Sequence, residues 1–164
     1  MLDRVVMRRI ADLSPYIANA RTHSPEQVAQ IARSISEFGF VNPVLVDADG
    51  GIIAGHGRVL AAASLDLEEV PTLDVGWLTP AQRRAYILAD NQLALNAGWD
   101  EELLRSEVNA LNVEGFDLGV MGFDENTLAR MLEVMPEFEP AGEGEQGRLD
   151  EKSKHVCPQC GHEF

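Results

Sequence analysis

The sequence predicts an α/β domain followed by a helical segment and an acidic tail. Three observations carry this. Short apolar runs recur at residues 5–10, 43–46, 52–53 and 70–75. Helical stretches lie between them, and two open on the same start signature, Ser24-Pro25-Glu26-Gln27 and Thr79-Pro80-Ala81-Gln82. Beyond Met135-Pro136 the apolar periodicity ends, and residues 139–147 are acidic and glycine-rich, as in a flexible linker.

Taken in order, Val5-Val6-Met7-Arg8-Arg9-Ile10 reads as a first strand, broken at Leu13-Ser14-Pro15-Tyr16. Asn19-Ala20-Arg21-Thr22-His23 lies in a polar loop. Ser24 is the N-cap of the first helix, with Pro25 at its first position and Gln27 placed to complete a capping box. Val28, Ile31, Ala32 and Ile35 share one face of that helix, and Gly39 ends it. Pro43-Val44-Leu45-Val46 and Ile52-Ile53 flank the turn Asp47-Ala48-Asp49-Gly50-Gly51, which predicts a hairpin. The helix after Gly57 is lined by alanines, suited to close packing on a sheet, and ends near Leu65-Asp66-Leu67. Val70 to Val75 is a fourth strand. A long helix runs from Thr79 to about Asn96, and Gly98 stops it. Asp100 caps the next helix, residues 112–122 read as loop, and Asp124 caps a last short helix carrying Leu128, Met131 and Leu132.

The chemistry concentrates at Ile52-Ile53-Ala54-Gly55-His56-Gly57-Arg58. The first turn of a helix presents N–H groups without internal acceptors, at the positive end of the helix dipole. Glycines at 55 and 57 remove Cβ atoms that would hold a phosphate off the backbone. Arg58 offers a planar two-pronged cation, and His56 a hydrogen bond or a proton. The same residues also suit a plain strand-to-helix turn with Arg58 in solvent. No Gly-Lys-Ser/Thr follows, so the turn is not a P-loop.

Charge is divided unevenly. The formal net charge is −14; residues 1–95 hold 8 basic and 11 acidic side chains, and residues 96–164 hold 5 and 16. The front half is thus the expected partner of phosphates, whereas the back half repels nucleic acid at long range. No apolar run approaches the ~18 residues of a membrane span. Residues Met1-Leu2-Asp3-Arg4 do not read as a signal peptide, and both cysteines sit in one short motif, so the expected location is cytoplasmic.

Residues 5–100 resemble the ParB/sulfiredoxin-like family. The resemblance rests on Asn19-Ala20-Arg21, Ile31-Ala32-Arg33-Ser34-Ile35, Gly39 with Pro43-Val44-Leu45-Val46, and Gly55-His56-Gly57-Arg58. Val70-Pro71 and Leu88-Ala89-Asp90-Asn91-Gln92-Leu93-Ala94 complete it, the last looking most like ParB-like domains associated with phage and plasmid DNA methyltransferases. The resemblance implies a small mixed sheet flanked by helices over residues 1–97; the sequence pattern itself adds a helical extension over 98–135 and an acidic linker over 136–154. The resemblance also implies a nucleoside triphosphate with magnesium, or DNA phosphates, at the Gly-x-x-Arg turn. Asn19, Arg21, Gly55, His56, Gly57, Arg58 and Asn91 would then bind phosphate, and Asp90 would hold the metal and carry any slow NTPase or phosphodiesterase chemistry.

Other readings stay open. Asn19 also suits a turn cap, Arg21 a surface ion pair, and Asp90 and Asn91 a solvated helix face. The family's Gln-Arg after the acidic-Asn pair is replaced by Leu93-Ala94, and no helix-turn-helix is legible in the acidic residues 98–134. His56 stands where sulfiredoxins carry cysteine, which excludes sulfinic acid repair. The implied partners are DNA or nucleotide and a phage DNA-processing protein such as a methyltransferase. A homodimer is left open. The alternatives are a non-catalytic docking adaptor and, with no dense carboxylate or histidine cluster, a metal-dependent nuclease.

The last ten residues form a separate unit. Cys157-Pro158-Gln159-Cys160-Gly161 makes a turn that points two thiolates at one zinc ion. Four ligands require His155 and His162, a second chain, or a partner protein; free thiols are the alternative.

Overall fold

The computed structural model describes residues 5–133. Its elements are β1 (Val5–Arg9), α1 (Pro25–Phe38), β2 (Val44–Val46), β3 (Ile52–Ala54), α2 (His56–Ser64), β4 (Glu69–Asp74), α3 (Pro80–Leu95), α4 (Glu101–Val113) and α5 (Glu125–Leu132). Short 3-10 turns lie at Ile10–Asp12 and Leu118–Met121. The mixed α/β fold expected from the sequence is the one observed.

The strands form one sheet in the order β1-β4-β2-β3. β1 runs antiparallel to β4, β4 parallel to β2, and β2 antiparallel to β3 with an irregularity between Leu45 and Val46. Pro71 lies in the inner strand β4, opposite Met7. Pairing of β4 with β2 starts only at Thr72, so the residue without an N–H precedes that second ladder.

Strand periodicity sorts the core onto two faces. Val44, Val46, Ile52 and Val70 pack with Leu13 and Ala62 of α2. Ile53 packs with Val75 and Ile87 of α3, and Leu45 lies against that group. Val44, Val46 and Val70 are fully buried, each contributing about 1.5–3 kcal/mol. Ala61 and Ala62 are equally buried; Ala62 packs on the sheet, as the alanines predict, and α2 also packs closely on α1. Helices thus cover both sheet faces, and α2 and α3 approach the end of β3 from opposite sides.

The caps follow the sequence closely. Gln27 N–H donates to Ser24 Oγ at 3.2 Å, Leu103 N–H to Asp100 Oδ1 at 3.0 Å, and Thr127 N–H to Asp124 Oδ1 at 2.9 Å. Thr79 and Gln82 form a reciprocal capping box. Each such cap is worth about 1 kcal/mol.

Three local expectations are corrected. The Gln27 side chain meets His23 Nδ1 at 3.0 Å instead of completing a box at Ser24. α2 begins at His56, before Gly57 rather than after it. Residues 112–122 are not all loop: α4 extends to Val113, and Asp117 caps the 3-10 turn in which Leu118 and Val120 are buried.

The described residues up to Leu132 form one compact unit. Within it, Phe38 at the end of α1 stacks on Phe116, with centroids 6.1 Å apart, and Trp99 meets Phe123 at 5.9 Å. Among the described residues no helix is long and apolar enough to cross a membrane.

Candidate functional site

The end of β3 builds the site. Gly55 adopts φ +101°, the left-handed region that a Cβ disfavours, and α2 starts at the next residue. A cleft of about 160 Å³ opens there, lined by Asn19, Arg21, Gly55, His56, Arg58, Asp90 and Asn91, together with His23. Three segments distant in sequence therefore supply these polar residues: the loop before α1, the β3–α2 turn with the start of α2, and α3.

Gly57 stands behind the cleft. A Cβ there would meet His23 Cε1 at 2.9 Å and Ile31 Cδ1 at 3.0 Å. At Gly55 a Cβ would meet Arg58 Nη2 at 2.9 Å. The space freed by the two glycines is thus filled by protein atoms, a different reason for glycine from the phosphate approach expected of them.

Arg58 is half-buried. Its Nη2 donates to the Pro43 carbonyl at 3.2 Å, while Nε is buried without a hydrogen-bond partner. Burial pulls the guanidinium below its ordinary pKa, and the Asp90 carboxylate opposes this. An unsatisfied buried donor costs about 1–3 kcal/mol, so an acceptor reaching it would recover that cost. Asp90 lies exposed on α3, and burial together with Asp90 pushes the Tyr86 hydroxyl up. Asn91 Nδ2 donates to the Ile87 carbonyl at 2.7 Å, which occupies one of its two N–H donors.

The loop before α1 is ordered by its own side chains. Asn19 Oδ1 accepts the Arg21 N–H at 3.2 Å, and Asn19 Nδ2 donates to the Arg21 carbonyl, also at 3.2 Å. Asn19 is both the turn former and a cleft residue. The Tyr16 N–H donates to His56 Nε2 at 3.2 Å, 40 residues away. Burial, and then the neighbouring His23, hold the His56 pKa below its ordinary value.

A second, mostly apolar cleft of about 410 Å³ shares Asn19, Arg21, His23 and His56 with the first and continues between Leu13, Tyr16 and Val59. The sequence reading missed His23 and Tyr16 as site residues. The signal was faint, since His23 lay in the recognised polar loop but its approach to Gly57 is non-local.

Among the described residues no group of three or more His, Cys, Asp or Glu side chains is placed to hold a metal ion. His155, Cys157, Cys160 and His162 lie outside the described residues.

The arrangement defines a class: an α/β domain with a cation-lined cleft at a Gly-x-x-Arg turn. The family model described as the ParB N-terminal domain matches residues 3–91, more than half of the chain. The chain belongs to the ParB N-terminal domain family. A second family model, described as the ParB-methyltransferase HTH domain, matches residues 102–156. That match overlaps the acidic residues 98–134, in which no helix-turn-helix was legible from the sequence. Net charge reports on exposed side chains and says little about how helices are connected.

The chain is 53% identical over 81 residues to the ParB-like nuclease domain-containing protein YnaK of Escherichia coli, covering 49% of this chain and 93% of that protein. It is 35% identical over 54 residues to the uncharacterized protein ORF326b of Acidianus two-tailed virus, covering 33% of this chain and 17% of that one. Among solved structures it resembles the C-terminally truncated chromosome-partitioning protein ParB from Caulobacter crescentus complexed with CTP-γ-S, with a TM-score of 0.58 and 22% identity. That likeness covers 66% of this chain, which spans 63% of the ParB chain, and it shows a shared fold.

Proposed function

We propose that this chain is a ParB-like module that binds the phosphates of a nucleoside triphosphate and acts beside DNA-processing proteins. The observation that carries the reading is the Arg58 guanidinium, half-buried in the cleft with its Nε unpartnered, and Arg21 lining the same cleft. Two cations and the first turn of α2 favour a polyanion over a neutral ligand. The solved ParB carrying CTP-γ-S makes cytidine triphosphate the first nucleotide to try.

Magnesium keeps most of its waters and takes one or two carboxylates plus phosphate oxygens. Asp90 is the carboxylate that lines the cleft, and it would give one oxygen to a metal arriving with the triphosphate. A single carboxylate suits binding better than metal-assisted hydrolysis, so hydrolysis is expected to be slow.

The match to a ParB-methyltransferase HTH domain supports DNA, with a methyltransferase as neighbour, on the partner side of this reading. Acidic residues around that segment would confine DNA binding to a local surface.

The test is thermal unfolding with each of the four ribonucleoside triphosphates, with and without magnesium. Binding at 100-fold over Kd adds about 2.7 kcal/mol of stability, several degrees in Tm. One triphosphate should raise the Tm of the wild type and not that of Arg58→Ala. No shift with any triphosphate at millimolar concentration would remove the proposal.

A further inference from the structure

We propose that His56 is a positioning residue: its ring nitrogen holds the segment carrying Asn19 and Arg21 against the start of α2, and thereby sets the Arg21 cation beside Arg58. This rests on the anion-binding reading above. It assigns His56 a different task from the direct phosphate ligation that its place in the Gly turn suggests.

The hydrogen bond has only one possible direction. The Tyr16 backbone N–H is a donor only, so His56 Nε2 must accept, and a neutral ring then carries its proton on Nδ1. The bond is also continuous with the loop. From Tyr16 the path runs through the Tyr16 carbonyl, which accepts the Asn19 N–H at 3.0 Å, and then through the Asn19 amide to both backbone groups of Arg21. Each link fixes main chain, so the course of the loop is set, not a single side chain.

Beyond the packing of Tyr16 on Ile53, Val75 and Ile87 and of His23 beside Gly57, the loop has few ties to the fold. Ser14 is paired with Gly50 and Ile52, and α1 begins at Pro25. Between them, among the described residues, the Tyr16–His56 bond is the one hydrogen bond joining residues 15–23 to any part of the fold beyond α1. Ile17 is fully exposed, so packing does little at the tip of the segment. Losing that acceptor would leave the stretch from Ile17 to Thr22 without a hydrogen bond to the fold beyond α1.

The charged and titratable groups facing this cleft are Arg21 and His23 from the loop, Arg58 on α2 and Asp90 on α3. Protonating His56 would remove the acceptor and add a positive charge beside His23. Burial and His23 both keep the ring neutral. The two roles for His56 therefore predict opposite signs. A direct phosphate ligand would strengthen anion binding when protonated, whereas a latch would weaken it.

The experiment uses the full chain and inorganic triphosphate with magnesium as the probe. Calorimetry compares the wild type, His56→Phe, His56→Gln, Arg21→Ala and the His56→Phe/Arg21→Ala double variant. His56→Phe should weaken binding about tenfold, the scale of one charge-assisted hydrogen bond from a misplaced Arg21. His56→Gln, whose amide oxygen reaches to the position of Nε2, should recover most of that affinity. On the Arg21→Ala background His56→Phe should cost less than about twofold, because the effect runs through Arg21. A full tenfold further weakening there would overturn the proposal. As pH falls from about 8 to 5.5, wild-type affinity should drop relative to His56→Gln; a rise overturns it.

A ligand-free readout separates this from failure of the nucleotide reading. Nitrogen-15 NMR of the wild type near pH 7.5 should show Nε2 as the hydrogen-bonded, unprotonated ring nitrogen. The Tyr16 amide resonance should move in His56→Phe and return in His56→Gln. A proton on Nε2 sinks the latch even if triphosphate binds, and the expected spectrum supports it even if no nucleotide does.

Discussion

Asp47 and Arg83, 36 residues apart, form an ion pair that ties the β2–β3 turn to α3. The carboxylate is buried, and it also accepts the Gly51 N–H at 2.7 Å and the Asp49 N–H at 3.0 Å. One side chain thus closes the turn and anchors the helix that carries Asp90 and Asn91. Asp47→Ala removes all three bonds and leaves Arg83 facing the gap. The expected loss is about 3 kcal/mol. Arg83→Met leaves the carboxylate its two backbone donors and should cost less, about 1–2 kcal/mol. Urea unfolding of the two variants and their combination checks this, with the double variant less stable than the wild type by much less than the sum.

Arg58 holds the Pro43 carbonyl through Nη2, so its guanidinium is oriented before any ligand arrives. Lysine carries the charge without the fork and cannot both hold that carbonyl and present a fixed N–H to an anion. Arg58→Lys is expected to weaken triphosphate binding by about tenfold or more while changing the unfolding midpoint little. Calorimetry together with a melting curve distinguishes the two effects. Equal affinity for lysine and arginine would show that charge alone is used.

The two glycines of the turn should fail differently. Gly55 needs a positive φ, and an added Cβ would displace the Arg58 guanidinium. Gly55→Ala is therefore expected to cost about 1–2 kcal/mol and to reduce anion binding at once. Gly57 lies within α2 and its backbone suits any residue, but a Cβ there pushes on the His23 ring and Ile31. Gly57→Ala should gain helix propensity and lose packing, leaving stability near that of the wild type and moving the NMR resonances of His23. A stability loss at 57 as large as that at 55 would contradict this division.

What the sequence made legible was whatever acts over one helical turn or one strand. Ser24, Thr79, Asp100 and Asp124 cap the helices they were read to cap, because a cap spans only two or three residues. The Asn19, Arg21 and Arg58 segments were read as one site, and the fold brings them to one cleft. The sheet order β1-β4-β2-β3 was not legible, since the parallel pairing of β2 with β4 skips two elements in the chain. For the same reason Tyr16 with His56, and Asp47 with Arg83, left no trace in local pattern. The alanines of α2 announced close packing on the sheet, but not that α1 would be a second partner.

The tail makes its own prediction. Cys157 and Cys160 at this spacing suit one zinc ion, completed by His155 and His162 or by a second chain. Native mass spectrometry of the full chain should find zinc, absent in Cys157→Ser. One zinc per chain in a monomer assigns both histidines, and one per dimer assigns paired knuckles. Protein purified in zinc-containing buffer that carries none would return the cysteines to free thiols.

Acid sensitivity should betray the state of His56. Its pKa in the folded chain lies below the ordinary 6.5 because of burial and His23. Between those two values the unfolded chain binds the proton and the folded chain does not, so stability rises with pH across that window. Conversely, stability falls as pH drops through about 6.5 toward the folded value. The depressed carboxyls Glu26 and Asp124 start from 4.5 and 3.8, so they act at lower pH and leave the window above about pH 5 clear. Unfolding free energies measured from about pH 5 to 7.5 should slope upward for the wild type and less steeply for His56→Gln, which cannot take up the proton. Identical slopes would mean that the His56 ring titrates as it does in the unfolded chain, and that burial beside Tyr16 and His23 does not hold it neutral.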